Sequence, residues 1–254
     1  MGSKPIVSVA HAPAGAEGLE ARWINITVPE VGGLIAAVAR PGGTGPFPSV
    51  LLLHGSHGFA TEYVRLAQDL AASGLLSVAA CWFREGGGAG TRFITPIVWP
   101  EAPPRPDPLS DLAMQTVSAL VQAVRSLPDA LPESIGLFGH SRGGGAALNY
   151  MLRSGDVQAG VLSSSRYPQE LADLAAVMKV PVLMLHGTAD RLEDGGSEFT
   201  KLEMARSFER ALRAAGKTVE AVYYEGGRHN DIFDSSVRYH DELQRSLAFF
   251  GHHL

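Results

Sequence analysis

Three residues of this 254-residue chain carry the groups needed for nucleophilic acyl transfer: Ser141, Asp190 and His229. Ser141 stands in Gly139-His140-Ser141-Arg142-Gly143, with an apolar run at 134–138 before it and a helix-forming stretch at 146–153 after it. Strand, tight turn and helix form the context in which Gly-x-Ser-x-Gly works as a nucleophile elbow. Lifting the Ser141 hydroxyl above a sheet strains the backbone and crowds its neighbours, and glycines at 139 and 143 leave room because they have no Cβ. A helix starting just after the serine also aims free backbone N–H groups at any oxyanion formed there. A serine hydroxyl needs a base to take its proton, an imidazole such as that of His229 can do so, and a carboxylate such as Asp190 would orient the ring.

Taken singly, Asp190 in Gly-Thr-Ala-Asp also suits a helix cap, and His229 in Gly-Gly-Arg-His-Asn suits an exposed loop. Their joint placement favours chemistry, because each follows a different apolar strand. Asp194 and Asp231 are the alternative acids. Asp194 lies further beyond its strand, and Asp231 is so near His229 in sequence that a contact within the loop is the simpler reading.

The elements that must bring the three together read in order. Residues 22–28 alternate as a strand, and 34–39 form an antiparallel partner after Gly32-Gly33. The continuous apolar run at 49–53 suits a strand buried on both faces, 75–83 and 159–163 read as further buried strands, the apolar run at 134–138 leads into the elbow, and 180–185 and 218–224 read as the last two strands. Helical segments at 61–72, 111–127, 146–153, 169–178, 199–215 and 236–250 separate them. Such alternation predicts a largely parallel sheet with helices on both faces, in one domain spanning 1–254. Residues 1–20, rich in Gly, Pro and Ala, read as a loose arm. In an open parallel sheet the active crevice lies at the carboxyl ends of the strands, where Ser141, Asp190 and His229 all fall.

Composition narrows the partners. Net charge is −5, with 45% hydrophobic and 19% charged residues, which gives no electrostatic case for nucleic acid or an anionic membrane surface. One cysteine, Cys81, excludes an intrachain disulfide and a cysteine-rich metal site, and it reads as a buried core residue of its strand. No apolar run is long enough to span a membrane and no secretory signal pattern opens the chain. The expectation is a cytoplasmic protein. Ser, His and Asp supply nucleophile and base, so neither metal nor organic cofactor is called for.

An oxyanion hole needs two backbone N–H groups. One is expected from Arg142, directly after the nucleophile. The other is expected from the loop His54-Gly55-Ser56-His57-Gly58, with Ser56 first and His57 next, while His54 itself packs beneath the loop. The Arg142 side chain reads as scaffold. The long insertion 84–108 is the candidate specificity element, because loops of that length inside a compact domain are often functional. It carries Phe93, Ile94, Ile97, Val98 and Trp99, which can line an acyl pocket or simply pack the loop down. Phe59, Trp82, Phe83 and Ile232 flank the same loops and complete the expected substrate-binding set with Phe93 and Trp99. Arg84, Arg92 and Arg105 read as solvated surface, with a carboxylate or phosphate contact as the alternative.

The elbow 139–143, the loop 54–58, the acid strand end His186-Gly187-Thr188-Ala189-Asp190 and the base loop Gly227-Arg228-His229-Asn230 together resemble the α/β-hydrolase fold, and within it the dienelactone-hydrolase and prolyl-oligopeptidase-like branch. The resemblance spans roughly residues 22–254. It implies a three-layer α/β/α sandwich on a mostly parallel eight-stranded sheet, with the triad in the order Ser, acid, His. One departure stands out: the resemblance to dienelactone hydrolases implies a cysteine nucleophile, and this chain has Ser141. The reading is therefore a serine esterase acting on a small carboxylic ester, with a homodimer compatible with the fold. The alternatives are an acyl-CoA thioesterase or acyltransferase-like enzyme, a small peptidase, or a non-catalytic ligand receptor on the same fold.

Overall fold

The central apolar run becomes a strand because both its faces are covered. In β4 (Phe47–Leu53), Val50 and Leu52 point into one hydrophobic layer and Leu51 and Leu53 into the other, all essentially inaccessible. Burying such side chains contributes roughly 1.5–3 kcal/mol each, so the alternation of a strand commits β4 to the middle of a three-layer structure. The computed structural model describes residues 4–84 and 93–254, leaving Arg92 and part of the 84–108 insertion outside the described residues.

The remaining strands are β1 (Ile6–Val9), β2 (Arg22–Val28), β3 (Gly32–Ala39), β5 (Leu76–Cys81), β6 (Ala130–His140), β7 (Ala159–Ser163), β8 (Val182–Gly187) and β9 (Val219–Tyr224). They form one sheet in the order β1-β2-β3-β5-β4-β6-β7-β8-β9. From β5 through β9 every pairing is parallel, and β1, β2 and β3 join antiparallel at one edge. Helices α1 (Thr61–Ala72) and α7 (Ser236–His253) cover one face. Helices α2 (Asp111–Arg125), α3 (Arg142–Arg153) and α5 (Leu202–Ala214) cover the other, and two single-turn helices, α4 (Gln169–Ala172) and α6 (Asp231–Asp234), sit in connections. This is the α/β-hydrolase architecture.

Three local expectations are corrected. The sheet has nine strands among the described residues rather than eight, because part of the expected arm forms β1. Ile6 and Val9 on β1 are exposed, so the strand is held by its backbone ladder to β2 and shows no buried stripe. The expected helix at 169–178 is one α turn followed by a 3₁₀ turn at Ala175–Val177, with Leu174 and Val177 exposed. The helix expected from 199 starts at Leu202, because Ser197 caps a separate 3₁₀ turn, Glu198–Thr200.

Candidate active site

Ser141 follows β6 directly and is the N-cap of α3, with φ 53° and ψ −115°. That is a left-handed, strained conformation for a residue with a side chain. Serine at an N-cap ordinarily spends its oxygen on the first turn of the helix, but Ser141 makes no such bond. Its backbone is pinned instead by its N–H donating to Ser163 O at 3.0 Å, at the end of β7. The elbow is also pressed against β4: a Cβ on Gly143 would lie 2.2 Å from Leu53 O and 2.6 Å from His54 O. Glycine is required there by close approach of backbone, as the spacing of the motif implies.

Asp190 and His229 are carried on loops leaving β8 and β9, which are parallel neighbours. The two loops are stitched together by Thr188 N–H to Tyr224 O, Ala189 N–H to Gly227 O and Gly226 N–H to Thr188 Oγ1, all within 2.9 Å. Asp190 Oδ2 thereby comes 2.7 Å from His229 Nδ1, and His229 Nε2 comes 2.9 Å from Ser141 Oγ. All three residues are buried to 5% exposure or less. A carboxylate only accepts, so Nδ1 carries the imidazole proton and Nε2 presents a lone pair to the Ser141 hydroxyl. The other oxygen, Asp190 Oδ1, accepts from Thr200 Oγ1 at 2.9 Å. Asp231 instead accepts from Arg228, and Asp194 offers its carbonyl to Asn230.

Around this line stand four further buried or half-buried histidines. His54 is fully enclosed, and burial pushes its pKa down to about 3. Its Nδ1–H donates to Gly55 O, and its Nε2 accepts the Trp82 N–H. It is packed beneath the loop, as the sequence suggests. Burial also depresses His57, to about 3, and His140 and His186 are lowered by the same cause. The Arg142 side chain acts as scaffold: Nε donates to Ser56 Oγ at 3.0 Å and Nη1 to Pro106 O at 2.8 Å. It ties the 54–58 loop and the end of the insertion to the elbow helix.

The expected substrate-binding residues divide. Phe59, Phe83 and Trp99 line a cavity of about 260 Å³, together with His57, Ile97 and Arg84. Phe93 packs edge-on to His57, at the border of that space. Trp82 is absent from its lining: its indole N–H donates to His54 O, and its ring packs edge-on against Phe83 in the same hydrophobic layer. Ile232 is likewise buried in the core beside α7, away from the cavity wall. Of the insertion, Ile94 and Ile97 are buried and Val98 is exposed. Ile97 N–H bonds Phe59 O and Thr61 N–H bonds Thr95 O, so packing and cavity-lining coexist. Arg84 donates to Pro100 O and Arg105 to Ser56 O. Cys81 is buried in the cavity wall, and burial raises its thiol to about 12, which leaves it protonated and inert.

Residues 34–254 match the model of the dienelactone hydrolase family. The chain belongs to that family. A relative in Methylorubrum extorquens, named for carboxymethylenebutenolidase, is 28% identical over 236 residues, covering 89% of this chain and 77% of the relative. Among solved structures, the Pyrococcus furiosus esterase Pf2001 superposes with TM-score 0.69 at 17% identity over 99% of both chains. A Thermogutta terrifontis esterase with butyrate bound gives TM-score 0.61 at 18% identity, over 86% of this chain and 89% of that one. These likenesses show a shared fold, and membership of the dienelactone hydrolase family makes the chain a hydrolase.

Sequence reasoning missed Tyr63, His140 and Thr200. Thr200 lies in a segment read as helix, and Tyr63 in an amphipathic helix where an aromatic residue suggests only core. His140 occupies the variable position of the elbow motif. None has a local pattern that marks it.

Proposed function

We propose that this member of the dienelactone hydrolase family is a serine esterase that cleaves small carboxylic esters through an acyl-enzyme on Ser141. The observation that carries the reading is the unbroken line of hydrogen bonds from Asp190 through His229 to Ser141 Oγ, at 2.7 and 2.9 Å. In this reading Ser141 Oγ attacks the ester carbonyl carbon while its proton passes to His229 Nε2. Asp190 holds the imidazole in the tautomer that can receive it and stabilises the imidazolium. The carbonyl oxygen becomes an oxyanion held by the Arg142 N–H at the start of α3 and by an N–H of Ser56 or His57. Collapse breaks the bond to the alcohol oxygen, which takes the proton from His229. Water, deprotonated by the same imidazole, then attacks the acyl-enzyme and releases the acid and free Ser141.

The cavity beside His57 supports a small apolar group on the substrate, since its volume falls just below the range of drug-sized sites. Apolar walls of Phe59, Phe83, Ile97 and Trp99 suit an alkyl or aryl group better than a peptide. Intact mass after treatment with a fluorophosphonate tests the nucleophile: one adduct on wild type and none on Ser141→Ala are expected. Absence of adduct on folded wild type would remove the serine-esterase reading.

A further inference from the structure

The phenol of Tyr63 lies at the meeting point of three segments that the chemistry needs in register. Gly55 N–H donates to Tyr63 Oη at 2.8 Å, His57 Nε2 lies 2.8 Å from the same oxygen, and His140 Nδ1 lies 3.1 Å from it. Beyond His140, its Nε2 lies 3.4 Å from His229 O. The proton positions along this chain follow from counting. A carbonyl only accepts, so His140 Nε2 carries the hydrogen and His140 Nδ1 is an acceptor. Tyr63 has one hydroxyl proton and donates it to His140 Nδ1. Tyr63 Oη is then an acceptor toward the other two, so His57 Nε2 must be protonated. The enclosure that keeps His57 and His140 neutral preserves this arrangement.

The segments so joined are the 54–58 loop, the elbow residue directly before Ser141 and the backbone of His229. The loop and the elbow touch: a Cβ on Gly55 would fall 2.8 Å from His140 Nδ1 and 3.2 Å from Ser141 Cβ. Arg142 grips the same loop through Ser56. Tyr63 itself is 1% exposed, with His57 stacked on its ring and Phe233 edge-on to it. A buried hydroxyl that satisfies three polar partners at once sets their spacing, because moving any one of them leaves a buried polar group unpaired.

We infer that Tyr63 is a positioning residue of the active site, whose hydroxyl fixes the Ser56–His57 backbone N–H groups over Ser141 and, through His140, the seat of His229. The inference rests on the serine-esterase reading. It predicts a specific kinetic signature, because an oxyanion donor acts on the transition state and little on the bound ester. Displacing a donor by a fraction of an ångström costs less than deleting it, so Tyr63→Phe should lower kcat by about 10–100-fold with KM within about twofold of wild type.

The experiment measures kcat and KM on one short-chain ester, and the Ki of a matching trifluoromethyl ketone, for wild type, Tyr63→Phe and His57→Phe. The ketone adds Ser141 to form a stable oxyanion, so its Ki should rise by the same factor as kcat falls. His57→Phe keeps the ring stack but removes the Nε2–H, and should shift both quantities the same way by about 3–10-fold. It carries the test if Tyr63→Phe does not fold. Wild-type kcat in either folded variant, or a loss that appears in KM with an unchanged ketone Ki, would overturn the inference. Stoichiometric fluorophosphonate adducts on wild type and variants, with none on Ser141→Ala, keep the esterase reading intact whatever those rates are.

Discussion

Acidification should unfold this protein well before its carboxylates are all protonated, and His54 shows why. Its ring is fully enclosed, donating through Nδ1 to Gly55 O and accepting the Trp82 N–H at Nε2. A second ring proton would break the Trp82 bond and place a charge among Phe59, Tyr63, Trp82 and Phe83. Burial accordingly holds the pKa at about 3 in the folded state, against about 6.5 in an unfolded chain. Below pH 6.5 the unfolded chain binds a proton that the folded one refuses. Stability is therefore fully present above that value and lost as pH falls toward 3. The slope approaches about 1.4 kcal/mol per pH unit for one group, so between pH 8 and pH 5 His54 alone removes about 2 kcal/mol. His57, His140 and His186 are depressed by the same burial and act in the same direction. Glu242, raised by its own burial, opposes them. Urea midpoints at pH 8, 7, 6 and 5 measure the total, and His54→Phe isolates one member. The variant loses baseline stability because the Trp82 N–H is left unpaired, but its stability should depend less steeply on pH. A wild-type stability that stays flat from pH 8 to 5, or a variant with the wild-type slope, would refute the reasoning.

Asp190→Asn should fold normally and lose about 10⁴-fold in kcat, because an amide can donate to His229 Nδ1 and move the imidazole proton to the face toward Ser141. Steady-state rates check this, and near-wild-type turnover would reassign the acid. Two neighbouring glycines of the elbow helix should behave oppositely. Gly143→Ala drives a Cβ into Leu53 O and His54 O, and should abolish fluorophosphonate labelling and lower the melting temperature sharply. At Gly145 a Cβ meets Arg166 and Pro108 at 3.4–3.5 Å. Gly145→Ala should therefore be neutral or stabilise by up to about 1 kcal/mol through its helix preference, read from a thermal melt.

What the sequence determined by itself is what short-range sterics and double-sided burial dictate. The elbow was legible because a strained turn between strand and helix tolerates few residues at 139 and 143, and β4 through β8 because strands covered on both faces need apolar runs, whereas β9 is an edge strand on which only Val219 is buried. β1 was not, since backbone hydrogen bonds hold it and leave no pattern in exposed side chains such as Ile6 and Val9. Tertiary structure alone decided the rest. Trp82 and Phe83 are consecutive aromatic residues after one buried strand and share one hydrophobic layer, and only tertiary packing determines that Phe83 faces the cavity while Trp82 clamps His54. Asp190 meets His229 in preference to Asp194 or Asp231 because the parallel pairing of β8 with β9 brings Gly227 O to the Ala189 N–H. Tyr63 and Thr200 hold the elements of the candidate site in register through hydroxyls in segments whose local sequence speaks only of helix. A hydrogen bond between residues far apart in the chain depends on two elements meeting, and no pattern within either one records it.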